Sequence, residues 1–310
     1  MIDRFNLLAI KTANQTLKDA SLLPDPTFLY EPLVVEGELT ILFADTGIGK
    51  TALSVQIAMH IALYYILLYV DLELTDKQFE KRYRDSDGNH FQFPEKFYRA
   101  TYEIMHKIPE NVNYEQFFIQ SLKDRIKEVD AKVVVIDNMT KVVSGSTDSA
   151  KSTIPIMNAL SAMKFEEGIT FLILEHNKKV EEWKPISLND LQGSKMKSNF
   201  ADSVFTIGRS AFDKSLRYIK QLKVRSGELI YDEENVLLCE LSTTQGYLGF
   251  NKLGFRHEKE LLKQREMSGY EENIEQVLEL KNKKFSNVKI AEMLGCSESA
   301  IRKWLKRAEQ

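Results

Sequence analysis

The sequence predicts an α/β protein with a mostly parallel central sheet, followed by a small all-α domain. Three observations lead there. The runs LTILFA, LLYVDLE, VVVIDN, TFLILEH and SVFTIGR are short and almost uninterruptedly apolar, and longer segments of helical periodicity separate them. Strands buried on both faces by crossover helices read in this way. The last forty residues carry helical spacing alone, through Ile274, Val277 and Leu278, then Ile290, Ala291 and Leu294, then Ile301, Trp304 and Leu305. Finally, 310 residues with 43% hydrophobic and 28% charged side chains suit one large domain plus an appendage, and exclude a single small module or a disordered chain.

In chain order, residues 1–30 read as an amino-terminal arm, with a weak helical pattern over 5–20 that Pro24 and Pro26 break. Residues 31–250 hold the alternation of strands and helices, in which LRYIKQLKV and NVLLCEL read as further strands, an antiparallel extension of one sheet edge. The charged stretch 251–270 shows no apolar face and reads as a linker, and 271–310 reads as three short helices. With 42 Lys and Arg against 45 Asp and Glu, any contact with nucleic acid must come from local patches. Cys239 and Cys296 show no Cys-x-x-Cys spacing, which argues against a disulfide framework or a zinc site and fits a cytoplasmic protein. No signal peptide is expected. The run IAMHIALYYILLYV is too short to span a bilayer and meets Asp71 and Glu73, so no membrane association is expected.

The strongest motif is ILFADTGIGKTALSVQIA, a strand that ends in a glycine-containing loop, then Lys50-Thr51, then a helix. Backbone N–H groups around Gly47, Ile48, Gly49, Lys50, Thr51 and Ala52 can wrap the phosphates of ATP at a helix amino terminus. Lys50 can reach the β and γ phosphates, and the Thr51 hydroxyl can hold Mg²⁺. Ala44 stands where the strict P-loop pattern has its first glycine, which is tolerable only at negative φ. The strand VVVIDN delivers Asp137 at its carboxyl end, where a P-loop protein places a Mg²⁺-coordinating carboxylate. LLYVDLELTD ends in Asp71 and Glu73, two apart and hence on one strand face, before a helix that Thr75 caps.

With these motifs in this order, residues 31–250 resemble RecA-type ATPases, in particular the DnaB-type hexameric helicases and the RepA-type plasmid helicases of the AAA_25 group. The resemblance implies that Glu73 polarises the attacking water and that His176 or Asn177, ending TFLILEHNKK, senses the γ-phosphate. It makes Lys195 and Lys197 in DLQGSKMKSNF candidate contacts for single-stranded DNA in a ring channel, with NMTKVVSGSTDSAKST as the other channel loop. It further implies that Lys223 and Arg225, two apart in YIKQLKVRSGE, reach the nucleotide of the neighbouring subunit in a hexamer. Each has a plain alternative: Glu73 as a helix-start carboxylate, His176 as a buried structural histidine, and the lysines and arginine as solvated surface charges.

The tail FSNVKIAEMLGCSESAIRKWLKRAEQ resembles a helix-turn-helix, with Ala291 at a helix crossing, Gly295 in the turn and Ser297 capping the last helix. Ser299, Arg302, Lys303 and Lys306 are its candidate duplex-DNA contacts. Eight basic residues between 281 and 307 face only Glu292 and Glu298. A protein-docking three-helix module is the alternative. The expectation is an ATP- and Mg²⁺-dependent, helicase-like motor acting on DNA in replication or mobilisation of a plasmid, phage or integrative element. An ATP-switched DNA-binding regulator and a partner-loading adaptor are the other readings.

Overall fold

The computed structural model describes residues 10–103, 113–142, 150–192, 194–264 and 269–308. The chain divides into two compact units, Met1–Leu262 and Lys263–Gln310.

The first unit begins with α1 (Ala13–Ala20), which Thr12 caps and which buries none of its residues. The strands β1 (Phe28–Tyr30) and β2 (Val34–Val35) pair with each other. The main fold follows as β3 (Leu39–Ala44), α2 (Lys50–Ile61), β4 (Leu67–Asp71), α3 (Asp76–Arg82), β5 (Phe97–Ala100), α4 (Tyr114–Val129), β6 (Val133–Asp137), α5 (Ala150–Glu167), β7 (Thr170–His176), α6 (Ser194–Phe200), β8 (Ser203–Arg209), β9 (Leu216–Lys223), β10 (Val236–Thr244) and β11 (Tyr247–Arg256).

The main sheet runs in the order β11-β10-β9-β8-β3-β7-β6-β4-β5. From β8 to β5 every pairing is parallel, while β9, β10 and β11 each run antiparallel to the strand before. Strand alternation divides the core. Leu42, Tyr69, Val135 and Leu174 pack on the α2 side, against Leu53, Ile57 and Ile61. Ile41, Phe43, Ile136 and Ile173 pack on the other side, against Leu122 and Ile126 of α4 and Leu160 of α5. The apolar run 57–70 is thus half helix and half strand: α2 ends at Ile61 and β4 begins at Leu67.

One boundary and one strand differ from expectation. The stretch 251–270 is not linker throughout, because β11 continues to Arg256 and a 3-10 turn follows at Glu258–Leu261. Glu258 is fully buried and accepts from Tyr218 Oη at 3.0 Å, from Ile186 N at 2.9 Å and from Lys220. An edge strand interrupted by Asn251, Lys252 and Gly254 carries little apolar periodicity, which hid it. Similarly β5, with the sequence FYRA, is an edge strand too short and too polar to stand out.

The second unit holds α7 (Gly269–Asn282), α8 (Asn287–Met293) and α9 (Glu298–Ala308). Val277, Ile290, Ala291 and Ile301, one or two from each helix, form its buried centre. Gly295, with φ +64°, turns the chain between α8 and α9, and Ser297 Oγ accepts from Ala300 N at 3.2 Å. No helix among the described residues is long and apolar enough to cross a membrane.

Candidate functional site

The site is built at the carboxyl ends of β3, β6 and β7, joined by the turn after β4. Between β3 and α2 the loop needs two left-handed residues, and glycines occupy both, Gly47 at φ +73° and Gly49 at φ +114°. A Cβ on Gly49 would also lie 3.0 Å from the ring of Phe250. Ala44 lies in β3 and is not among the positive-φ residues, so its Cβ is accommodated. α2 begins at Lys50 with no side-chain cap on Gly49, leaving its amino-terminal N–H groups directed at the loop, as a phosphate cradle requires.

The loop is held from the antiparallel extension by residues that sequence reading missed. Arg217 Nε donates to Ile48 O at 3.0 Å. The Gln56 side chain pairs with the Phe250 backbone, accepting from N at 2.7 Å and donating to O at 3.1 Å. No local pattern announces these contacts, since about 170 to 190 residues of chain separate the partners.

Lys50 is buried, and its ammonium donates to Ala44 O at 2.7 Å and Asp45 O at 3.1 Å, with His176 Nδ1 at 3.2 Å. Burial pushes its pKa below the ordinary lysine value, partly offset by the Asp137 and Glu73 charges. Asp137 is buried at the end of β6, and burial raises its pKa to about 6. Its Oδ2 accepts from Tyr69 Oη at 2.8 Å, and the Tyr69 hydroxyl meets Ser54 Oγ at 2.7 Å. The Thr51 hydroxyl is near enough to favour the charged form, yet Oδ1 has no hydrogen bond of regular geometry. An orphaned carboxylate oxygen beside a hydroxyl is the hard oxygen pair that Mg²⁺ takes, so Thr51 and Asp137 fit that ion.

Glu73 does not share a strand face with Asp71, because β4 ends at Asp71. Asp71 is occupied in holding the turn: Oδ1 accepts from Glu73 N at 3.1 Å and Leu74 N at 2.9 Å, and Oδ2 from Arg99 Nε at 3.0 Å. The turn carries Glu73 to Asn138, whose Nδ2 donates to Glu73 Oε1. His176 Nε2 lies 3.1 Å from Asn138 Nδ2 and 3.9 Å from Glu73 Oε1. Burial first, and then the Lys50 charge, hold the His176 pKa below its ordinary value. Lys50, His176, Asn138 and Glu73 therefore form one connected chain. Asn138 went unassigned in the sequence, although its place directly after Asp137 at a strand end was the available signal. Asn177, the alternative to His176, forms an isolated bridge with Leu191.

Other candidates lie elsewhere. Lys197 is 0% exposed, with its ammonium 2.7 Å from Glu175 Oε1, off the angle of a hydrogen bond. A fully buried lysine cannot meet a DNA phosphate, which corrects the channel-contact expectation for it. The Lys195 side chain and residues 143–149 of the other channel loop lie outside the described residues.

β9 ends at Lys223, so Lys223 and Arg225 do not form a two-pronged strand face. Lys223 pairs with Val204 near the start of β8, the opposite end of the sheet from the P-loop. Its ammonium donates to Ser198 O at 2.7 Å and Ala201 O at 2.6 Å. Arg225 donates to Asp202 Oδ1 at 2.7 Å while its side chain stays 58% exposed. Neither meets the P-loop of its own chain.

On α9, Ser299, Arg302, Lys303 and Lys306 are all exposed and fall at positions i, i+3, i+4 and i+7, hence on one stripe. Arg302 shares its charge with Glu298, at 2.7 Å.

Comparison with known proteins agrees with the geometry. The AAA_25 model, described as an AAA domain, matches residues 4–182, more than half of the chain. Among solved structures, a KaiC-like protein from the hyperthermophilic archaeon Pyrococcus horikoshii OT3 superposes with a TM-score of 0.50 at 14% identity, covering 72% of this chain and 94% of that one. That likeness speaks for the fold alone. No curated protein matches. The chain belongs to the AAA_25 family, and its first unit is a RecA-like P-loop ATPase domain.

Proposed function

We propose that the protein hydrolyses ATP with Mg²⁺ and uses the cycle to act on DNA as a helicase-like motor. Gly47 to Ala52 bind the phosphates, Thr51 and Asp137 hold the metal, and Glu73 orients and deprotonates the attacking water. Bound Mg²⁺ would neutralise charge on the β and γ phosphate oxygens. His176, 3.2 Å from Lys50 through Nδ1, would sense the γ-phosphate.

The observation that carries the DNA reading is the exposed stripe of Ser299, Arg302, Lys303 and Lys306 on a helix that a glycine turn sets against α8. A ring, hexameric in our reading, supplies Arg225 in trans, because its side chain is 58% exposed and would exchange the Asp202 ion pair for a phosphate, whereas two backbone carbonyls engage the Lys223 ammonium. Replication or mobilisation of a plasmid, phage or integrative element is the setting this activity fits.

The burial of Lys197 favours a second reading, an ATP-switched DNA-binding regulator, since it removes one of the two named channel cations. ATP turnover measured with and without single-stranded DNA, alongside unwinding of a forked duplex, separates the two. Stimulated turnover with unwinding supports the motor. Duplex binding that responds to ATP without unwinding supports the regulator, and absence of both DNA effects overturns the DNA reading.

A further inference from the structure

The chain from Lys50 to Glu73 makes opposite demands on one imidazole. An ammonium can only donate. Two of the Lys50 donors meet Ala44 O and Asp45 O, and the third faces His176 Nδ1 at 3.2 Å. An Nδ1 that accepts from Lys50 leaves the single proton of the neutral ring on Nε2. Nε2, however, faces Asn138 Nδ2 at 3.1 Å, and an amide nitrogen also donates. The Thr140 hydroxyl donates to Asn138 Oδ1, which sets the amide so that Nδ2 reaches both Glu73 Oε1 and His176 Nε2. That contact requires the other tautomer, with the proton on Nδ1. A neutral His176 satisfies Lys50 or Asn138, never both.

We propose that Asn138 is a positioning residue for Glu73 and that its hold is switched by the tautomer of His176, which Lys50 selects. With Lys50 against the ring, the proton stays on Nε2 and opposes the Asn138 N–H, so Asn138 reaches Glu73 Oε1 without an anchor at the ring. When a phosphate takes the third Lys50 hydrogen, one proton leaves Nε2 for water and one joins Nδ1, with no change of charge. Nε2 then accepts from one Asn138 N–H while the other holds Glu73 Oε1. The amide that holds the carboxylate is anchored at the ring only when nucleotide is in place. Burial and the Lys50 charge favour the neutral ring. The inference rests on the ATPase reading for its purpose, although the tautomer can be tested without turnover.

The first test is ¹⁵N NMR of the full-length protein, with the His176 signals identified by their loss in His176→Gln. The expected proton position is Nε2 without ligand and Nδ1 with Mg²⁺ and the β,γ-imido analogue of ATP. In ligand-free Lys50→Met the proton should already sit on Nδ1, and retention on Nε2 there overturns the switch.

The second test reads turnover. Asn138→Ala, or Thr140→Val should the former not fold, is expected to lower kcat by about 30-fold with the KM for ATP changed less than about threefold. Added to Glu73→Gln, either change should cost nothing further, because Asn138 acts only through Glu73. An unchanged kcat, or losses that multiply in the double variant, overturns the positioning role. If the unaltered protein shows no turnover, or Glu73→Gln leaves it intact, the proposed function fails instead, and the NMR result still decides the switch.

Discussion

The two ends of the central sheet carry similar charges and use them differently. At the amino ends of β3 and β8, Asp202 is buried with both oxygens hydrogen-bonded: Oδ2 accepts from Leu39 N at 2.9 Å and Lys164 Nζ at 2.7 Å, and Oδ1 from Arg225 Nη1 at 2.7 Å. At the carboxyl ends of β3 and β6, Asp137 is equally buried but keeps one oxygen without a regular hydrogen bond, and Lys50 directs its donors to carbonyls and a histidine. A buried charge with every partner present holds a fold together. The open oxygen of Asp137, beside the Thr51 hydroxyl and the phosphate loop, is placed for a cation, and burial raises the Asp137 pKa.

This contrast sets the size of each expected effect. Lys50→Ala should lower ATP turnover by about 10³-fold, because the phosphates lose their point-charge partner, and should cost about 1–2 kcal/mol in unfolding, because the Ala44 and Asp45 carbonyls lose their donor. A large drop in unfolding midpoint would mean that the carboxyl end is also structural. Asp202→Ala should do the reverse, costing about 3–5 kcal/mol in denaturant unfolding by stranding the buried Lys164 ammonium. Unfolding unchanged by Asp202→Ala would break the comparison at its other end. Lys223→Met leaves two carbonyls near the end of α6 without their donor and should cost about 1–2 kcal/mol by the same assay. The smallest effect is expected in the second unit, where Lys303→Ala with Lys306→Ala should leave unfolding unchanged. The duplex-DNA salt slope should become shallower by about 0.9 for each phosphate that these lysines neutralise in the parent. An unaltered slope would place duplex binding elsewhere.

The same contrast explains what could be read from the sequence. The parallel block was legible because both of its faces are covered, which leaves continuous apolar runs in β3, β4, β6, β7 and β8. The edge strands β5 and β11 were not, since one covered face yields only broken periodicity. The P-loop and Asp137 stood out because their chemistry is local in sequence. Asn138 needed the fold to bring Glu73 and His176 beside it, and Arg217 needed β9 to lie within reach of Ile48. Lys197 and Lys223 looked like surface cations because charge in a sequence does not reveal burial. One pairs with Glu175 in the core and the other closes the end of α6.

The central claim is that the carboxyl end of the sheet is a hydrolytic site in which Glu73 acts on water and not on nucleotide binding. Glu73→Gln tests it most directly, with ATP affinity and single-turnover hydrolysis measured on the same preparation in the presence of Mg²⁺. The account predicts affinity within about threefold of the parent and hydrolysis slower by about 10²-fold or more. Hydrolysis at the parental rate, or affinity lost together with hydrolysis, would contradict it.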